Sequence, residues 1–131
     1  MRHNFKDLKI WQKAMDFTDL TYDYCKGLPS DKRFNFVDQI NRCSCSIPSN
    51  IAEGSGKRSH LQFAEYLTIS LTSSYEAETQ LLICQRRNYG ESKKLTDCLN
   101  FITEVQKMIY VFRENILKNE GRPLLILDSY F

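Results

Sequence analysis

The sequence predicts an all-α protein, an antiparallel up-down-up-down four-helix bundle whose second helix is kinked at Pro48. Three observations carry this. Apolar residues recur in alternating steps of three and four through four long segments, the period of a helix with one buried stripe. Short clusters rich in Gly, Pro, Ser, Asp and Asn separate the segments, so successive helices must fold back on one another. Nowhere does a convincing period-two strand pattern intervene. With 131 residues the chain is expected to form one domain over 1–120, long enough for a core without metals or disulfides, followed by an apolar tail over 121–131.

The first helix is predicted over about 8–26, with Leu8, Trp11, Met15, Thr18, Tyr22 and Cys25 as its stripe. Gly27 closes it, and Ser30 or Asp31 opens the second helix, predicted over about 31–54 with Val37, Ile40, Ser44, Ile47 and Ile51 inward. The third helix, about 60–88, starts at Ser59-His60-Leu61-Gln62, which has the form of a capping box. Phe63, Tyr66, Leu67, Ser70, Leu71, Ser74, Tyr75, Ala77, Leu81 and Leu82 are expected inward or at an interface. Its small residues Ser70, Ser73, Ser74 and Ala77 admit a close neighbour, with Trp11 or Phe112 as large side chains able to fill the space. Ser92 is the expected cap of the fourth helix, about 93–119, whose stripe is Leu95, Cys98, Ile102, Val105, Ile109, Phe112 and Ile116. The tail Leu124-Leu125-Ile126-Leu127-Asp128-Ser129-Tyr130-Phe131 is too apolar for a solvated end and is expected to dock, in preference on a neighbouring subunit.

Local rules conflict at Ser46-Ile47-Pro48-Ser49-Asn50-Ile51-Ala52-Glu53-Gly54. Pro48 has no N–H for the Ser44 carbonyl, yet Ile47 and Ile51 keep helical spacing across it. Ser44, Ser46, Ser49 and Asn50 can satisfy freed backbone groups, Gly54 is the expected helix stop, and Glu53 is expected to lock the following turn or hydrogen-bond across the bundle.

Composition excludes several classes. No apolar run approaches the roughly 18 residues of a membrane span, and the N-terminus lacks a signal-peptide core, so a cytoplasmic protein without membrane contact is expected. The five cysteines include no CxxC pair and read as reduced core thiols. Cys43 and Cys45 should point to different faces. Gly54-Ser55-Gly56-Lys57-Arg58-Ser59 fails as a phosphate loop, because Ile51 and Arg58 stand where that motif needs glycine and a hydroxyl residue. With only His3 and His60, neither three residues after a glutamate, no bundle metal site is expected. No catalytic residue, cofactor or small-molecule substrate is predicted, and the protein is read as non-enzymatic.

The functional expectation falls on basic residues. Net charge is only +2, but the topology gathers Lys26, Lys32, Arg33, Arg86, Arg87, Lys93 and Lys94 at one end and Arg2, Lys6, Lys57, Arg58, Lys118 and Arg122 at the other. Lys57, Arg58, Arg86, Arg87, Lys93 and Lys94 are the predicted phosphate contacts for RNA or DNA. The alternative is a protein-interaction scaffold working through apolar surface.

Two segments resemble the family of 23S rRNA intervening-sequence proteins: Phe5-Lys6-Asp7-Leu8-Lys9-Ile10-Trp11-Gln12-Lys13-Ala14, near that family's opening, and SIPSNIAEGSGKRS, its most recognisable stretch. Phe63, Tyr66-Leu67 and Glu76-Ala77-Glu78-Thr79-Gln80-Leu81 fit its third helix, so the resemblance covers about 5–119. It implies an all-α bundle assembling into a ring-like homopentamer. The family includes proteins encoded within insertions in bacterial rRNA genes and is similar to the accessory variability protein of diversity-generating retroelements, which binds nucleic acid and a reverse transcriptase. The resemblance brings no catalytic residues, and Cys43-Ser44-Cys45 departs from the family's usual aliphatics or alanine before SIPSN.

Overall fold

A computed structural model of the chain describes residues 4–29, 31 and 36–120. After a short 3-10 turn, Phe5–Asp7, come four helices: α1 Lys9–Lys26, α2 Asp38–Ser55, α3 His60–Arg86 and α4 Ser92–Lys118. No strand occurs among the described residues. The expected start of the second helix at Asp31 adjoins residues 32–35, which lie outside the described residues, as does the predicted tail over 121–131.

Each helix packs chiefly on two neighbours: α1 on α2 and α4, and α3 on α2 and α4. Contacts between α2 and α3 run Gln39–Gln80, Cys43–Glu76, Ser46–Ser73 and Ile47–Ser70, so position falls along α3 as it rises along α2. The same reversal holds for α3 with α4, through Glu78–Gln106 and Thr68–Arg113. It holds again for α4 with α1, through Asp23–Lys94 and Lys13–Glu104. Three antiparallel contacts around a ring of four oppose α1 and α2 as well. The core between them is led by Phe17, Tyr24, Phe63, Phe112 and the isoleucines at 10, 40, 47, 51, 102, 109 and 116.

The α1 stripe is shifted from its expected line. Ile10, Ala14, Phe17, Thr18, Thr21, Tyr24 and Cys25 are buried, whereas Met15 is 38% and Tyr22 45% exposed and Trp11 lies at the margin against Phe5, ring centroids 5.3 Å apart. Residues 10, 14, 17, 21 and 24 also step by fours and threes, so α1 carries two adjacent apolar lines. Small Ala14 and Thr21 let the inner line approach its neighbours. On α3, Tyr66 is half-buried and Tyr75 and Leu82 are exposed. The small-residue strip admits a close neighbour, as expected. It meets α2 itself, where the Ser70 hydroxyl donates to the Ile47 carbonyl at 2.8 Å and the Ser46 and Ser73 hydroxyls lie 2.8 Å apart. Phe112 packs on Phe63, ring centroids 5.6 Å apart.

Helix α2 is continuous through Pro48. The carbonyl that proline leaves without a donor, that of Ser44, is reached from another helix: Thr18 Oγ1 lies 3.2 Å from it and 3.0 Å from the Ala14 carbonyl. Thr21 Oγ1 donates to the Thr18 carbonyl at 2.8 Å and lies 3.1 Å from Ser44 Oγ, so α1 and α2 meet through a buried hydroxyl layer. Ser49 Oγ donates to the Cys45 carbonyl and Asn50 Nδ2 to the Ser46 carbonyl, both at 2.8 Å, as their residue types suggest.

Gly54 is not the helix stop. Helix α2 runs on to Ser55 with Gly56 as its cap, and Gly54 is buried inside it. A Cβ on Gly54 would lie 2.6 Å from Tyr66 Cβ and 3.0 Å from Phe63 Cδ1, so this glycine sets the distance between α2 and α3. At α4 the cap is Glu91, without a side-chain cap bond, in place of the expected Ser92. At α3 the cap is Ser59, whose Oγ accepts from the Gln62 amide at 3.1 Å.

All five cysteines are free; four are buried and Cys45 is half-buried. Cys43 Sγ donates to Glu76 Oε2 at 3.2 Å while Cys45 Sγ lies 3.4 Å from the Tyr22 hydroxyl, so the two thiols do face different helices. Burial pushes the thiols of Cys25 and Cys98 up to about 12 and that of Cys43 up to about 11.

Candidate nucleic-acid interface

The six predicted phosphate contacts fall into two groups. Lys57 and Arg58 occupy the turn between α2 and α3, whereas Arg86 ends α3, Arg87 caps it, and Lys93 and Lys94 lie in the first turn of α4. Helix α3, 27 residues long, separates the groups by about 40 Å at 1.5 Å per residue. A single protomer therefore offers two separate basic tips. Lys32 and Arg33, expected beside the second group, lie outside the described residues.

Their electrostatic states differ. Lys93 Nζ is 2.7 Å from Asp97 one turn along α4. Lys94 Nζ is 3.2 Å from Asp23 on α1 and 3.6 Å from Glu91, and the Asp23 carboxylate holds its ammonium above the usual lysine range. Both lysines are thus locally neutralised. Lys57 is half-buried, its ammonium 5.1 Å from the Tyr66 ring centroid, a cation–π contact that leaves its charge uncompensated by a carboxylate among the described residues. Arg58, Arg86 and Arg87 are exposed, and among the described residues none of them forms an ion pair.

The second tip is held by a residue the sequence pattern did not single out. Tyr24 of α1, fully buried, donates its hydroxyl to the Tyr89 carbonyl at 2.7 Å. Burial, and then the nearby Cys84 thiol, raise its pKa, so it remains a donor at ordinary pH. Gly90 has φ 74°, and a Cβ there would stand 2.7 Å from Tyr24 Cε1; Asn88, φ 57°, is a second left-handed position. The signal in the sequence is the Asn88-Tyr89-Gly90 triplet, which marks the turn, but its partner lies on a helix remote in the chain.

The motif around Pro48 is structural in its visible contacts. Asn50 Nδ2 is engaged within α2, with the Ser46 carbonyl and hydroxyl at 2.8 and 2.9 Å. Glu53 is exposed, and its carboxylate makes no hydrogen bond or ion pair among the described residues, so the expected bond across the bundle is absent. Its position one residue before buried Gly54 turns the side chain to solvent. His60 is 4% exposed with neither ring nitrogen hydrogen-bonded, lying on the buried line His60, Phe63, Ala64, Leu67. No cluster of three or more His, Cys, Asp or Glu among the described residues could hold a metal ion, and no described helix is long and apolar enough to cross a membrane.

The chain is similar to a solved structure of unknown function from the S23 ribosomal protein family of Bacteroides thetaiotaomicron VPI-5482. The two share 27% identity and a TM-score of 0.73 over 79% of this chain and 97% of the other. No curated protein matches the chain. The family model described as 23S rRNA-intervening sequence protein matches residues 6–111, which span most of the 3-10 turn, all of α1 to α3 and most of α4. The chain belongs to the 23S rRNA-intervening sequence protein family.

Proposed function

We propose that this protein is a non-enzymatic homo-oligomeric bundle that binds RNA or DNA through the arginines at its tips. The observation that carries this is the exposure of Arg86 and Arg87 side by side, without a carboxylate partner among the described residues, on a turn clamped by Tyr24. At the other tip stand exposed Arg58 and half-buried Lys57, whose ammonium lies over the Tyr66 ring, neither with a carboxylate partner among the described residues. Assembly of several copies multiplies each tip, and phosphate binding then gains from every copy. Exposed Tyr75, Leu82, Tyr110 and Leu117 on α3 and α4 supply apolar surface for that assembly.

The test is light scattering on nucleic-acid-free protein, followed by titration with structured RNA and duplex DNA at low and moderate salt. Binding should weaken steeply with salt, and Arg86→Ala or Arg87→Ala should each flatten the slope of log affinity against log salt by about one. Lys93→Ala, whose charge Asp97 already compensates, should change it less. Affinity independent of salt refutes the proposal. An oligomer that binds neither nucleic acid favours the second reading, a protein-interaction scaffold, for which the exposed apolar residues on α3 and α4 speak directly.

A further inference from the structure

The turn between α3 and α4 holds a cavity of about 130 Å³ lined by Gln85, Asn88, Tyr89, Ser92, Leu95 and Thr96. Its two hydroxyls are unusual in this protein. Every other described serine or threonine takes part in a side-chain hydrogen bond, while the hydroxyls of Ser92 and Thr96 take part in none. Thr18, Thr68, Thr79 and Thr103 donate to the carbonyl four residues back, as helical threonines commonly do; Thr96 does not. The side-chain amides of Gln85 and Asn88 are likewise without a bond among the described residues. Two amides and two hydroxyls, all exposed and without a protein hydrogen bond among the described residues, therefore line one cavity above buried Leu95 and half-buried Tyr89.

The chemistry of that lining is specific. It holds donors and acceptors but no charged side chain, so it suits a neutral group with a hydrogen-bonding edge and an apolar face. Its volume is that of about four waters at roughly 30 Å³ each, well below the roughly 300–1,000 Å³ of drug-sized pockets, so one ring-sized group fits and a larger ligand does not. Arg86 and Arg87 immediately precede Asn88 and carry positive charge at the same turn. A second cavity, about 390 Å³ beside α1 and α4, has Asp97 and Glu104 in its lining and no cationic side chain to hold a phosphate. The first is also shaped in advance, because Tyr24 fixes the Tyr89 carbonyl and packs against Gly90.

We propose that this cavity receives one unstacked nucleobase of a looped or bulged nucleic acid whose adjoining phosphates lie on Arg86 and Arg87. The inference rests on the nucleic-acid function proposed above and adds which form of nucleic acid is read, and where. Gln and Asn amides can pair with a base edge, and an unpaired base is the form whose edge and face are both available.

The experiment uses the full chain and two RNA hairpins identical except for a single bulged adenosine, titrated at one low salt concentration. The bulged hairpin should bind roughly tenfold more tightly, the discrimination of one good amide–base pair. Gln85→Ala/Thr96→Val should bring its affinity down to that of the paired hairpin. Neither change removes a hydrogen bond seen among the described residues, and circular dichroism checks the fold; Ser92→Ala provides an independent smaller loss. Equal affinity of the wild-type protein for the two hairpins, or a preference that survives the double substitution, overturns the cavity proposal while salt-dependent binding leaves the broader function standing. Failure of both hairpins to bind at low salt overturns the cavity proposal, and the broader function falls with it when duplex DNA also fails to bind.

Discussion

Replacing Thr18 by valine tests how the helix survives Pro48. Thr18 is 8% exposed and Ser44 fully buried, so no solvent replaces the missing donor at the Ser44 carbonyl. The Ala14 carbonyl, also touched by Thr18 Oγ1, loses less, since the Thr18 backbone amide is placed to serve it within the helix. Leaving one buried carbonyl unpaired costs about 1–3 kcal/mol, and Thr18→Val should destabilise the protein by that amount. In a Pro48→Ala background the restored N–H can close the normal helical bond to Ser44. The same Thr18→Val change should then cost little, giving a coupling of about 1–2 kcal/mol between the two sites. Urea unfolding of the four proteins followed by far-UV circular dichroism, at one fixed protein concentration, reads this as shifts in midpoint at constant slope. An equal cost of Thr18→Val in both backgrounds refutes a role for Thr18 at the carbonyl orphaned by proline.

Two glycines two residues apart should respond oppositely to alanine. Gly54→Ala places a Cβ 2.6 Å from Tyr66 Cβ, and overpacking of about 1–3 kcal/mol should exceed the gain of about 1 kcal/mol in helix propensity. Gly56→Ala meets only the Glu53 carbonyl at 3.5 Å and should leave stability unchanged or raise it by up to about 1 kcal/mol. Thermal unfolding separates them, and a stabilised Gly54→Ala protein contradicts the close crossing. A thiol reagent at pH 8 should label the native chain at Cys45 alone and all five cysteines after denaturation; rapid labelling of Cys25 or Cys98 would show that they are not buried. Because folding raises the pKa of Cys25, Cys98 and Cys43, their contribution to stability is intact below the unfolded thiol value near 9 and is lost as pH rises toward 11 to 12. The urea midpoint should fall over that window and shift upward in pH when Cys98 is replaced by alanine in a chain that still folds.

The number of helices and the turns between them were legible because each depends on local chemistry. Three-four periodicity marks α2 and α4 well, and Ser59-x-x-Gln62 marks the start of α3 to the residue. The face of α1 was not legible. Trp11, Met15 and Tyr22 make as plausible a stripe as Ile10, Ala14, Phe17 and Tyr24, and the choice belongs to the neighbours, which accept Ala14 and Thr21 where a larger side chain would hold the helices apart. Gly54 illustrates the same division. Its residue type signals a special backbone requirement, but whether that is a cap or a close crossing depends on Tyr66 and Phe63.

The candidate site divides in the same way. The basic residues could be placed at the bundle tips from topology, yet sequence alone ranked Lys93 and Lys94 equally with Arg86 and Arg87. Only the structure sets Asp23 of α1 against Lys94, and leaves the two arginines without carboxylates among the described residues. Likewise Gln85, Asn88, Ser92 and Thr96 are ordinary turn and helix-end residues in the sequence, and become a cavity only where α3 and α4 meet over Tyr24. What the sequence determined by itself is what short-range forces decide: helices, caps, turns, and the carbonyl that proline leaves bare. Tertiary structure decided which apolar line is buried, which charges are cancelled and who supplies the missing donor, because each depends on atoms brought from a different helix.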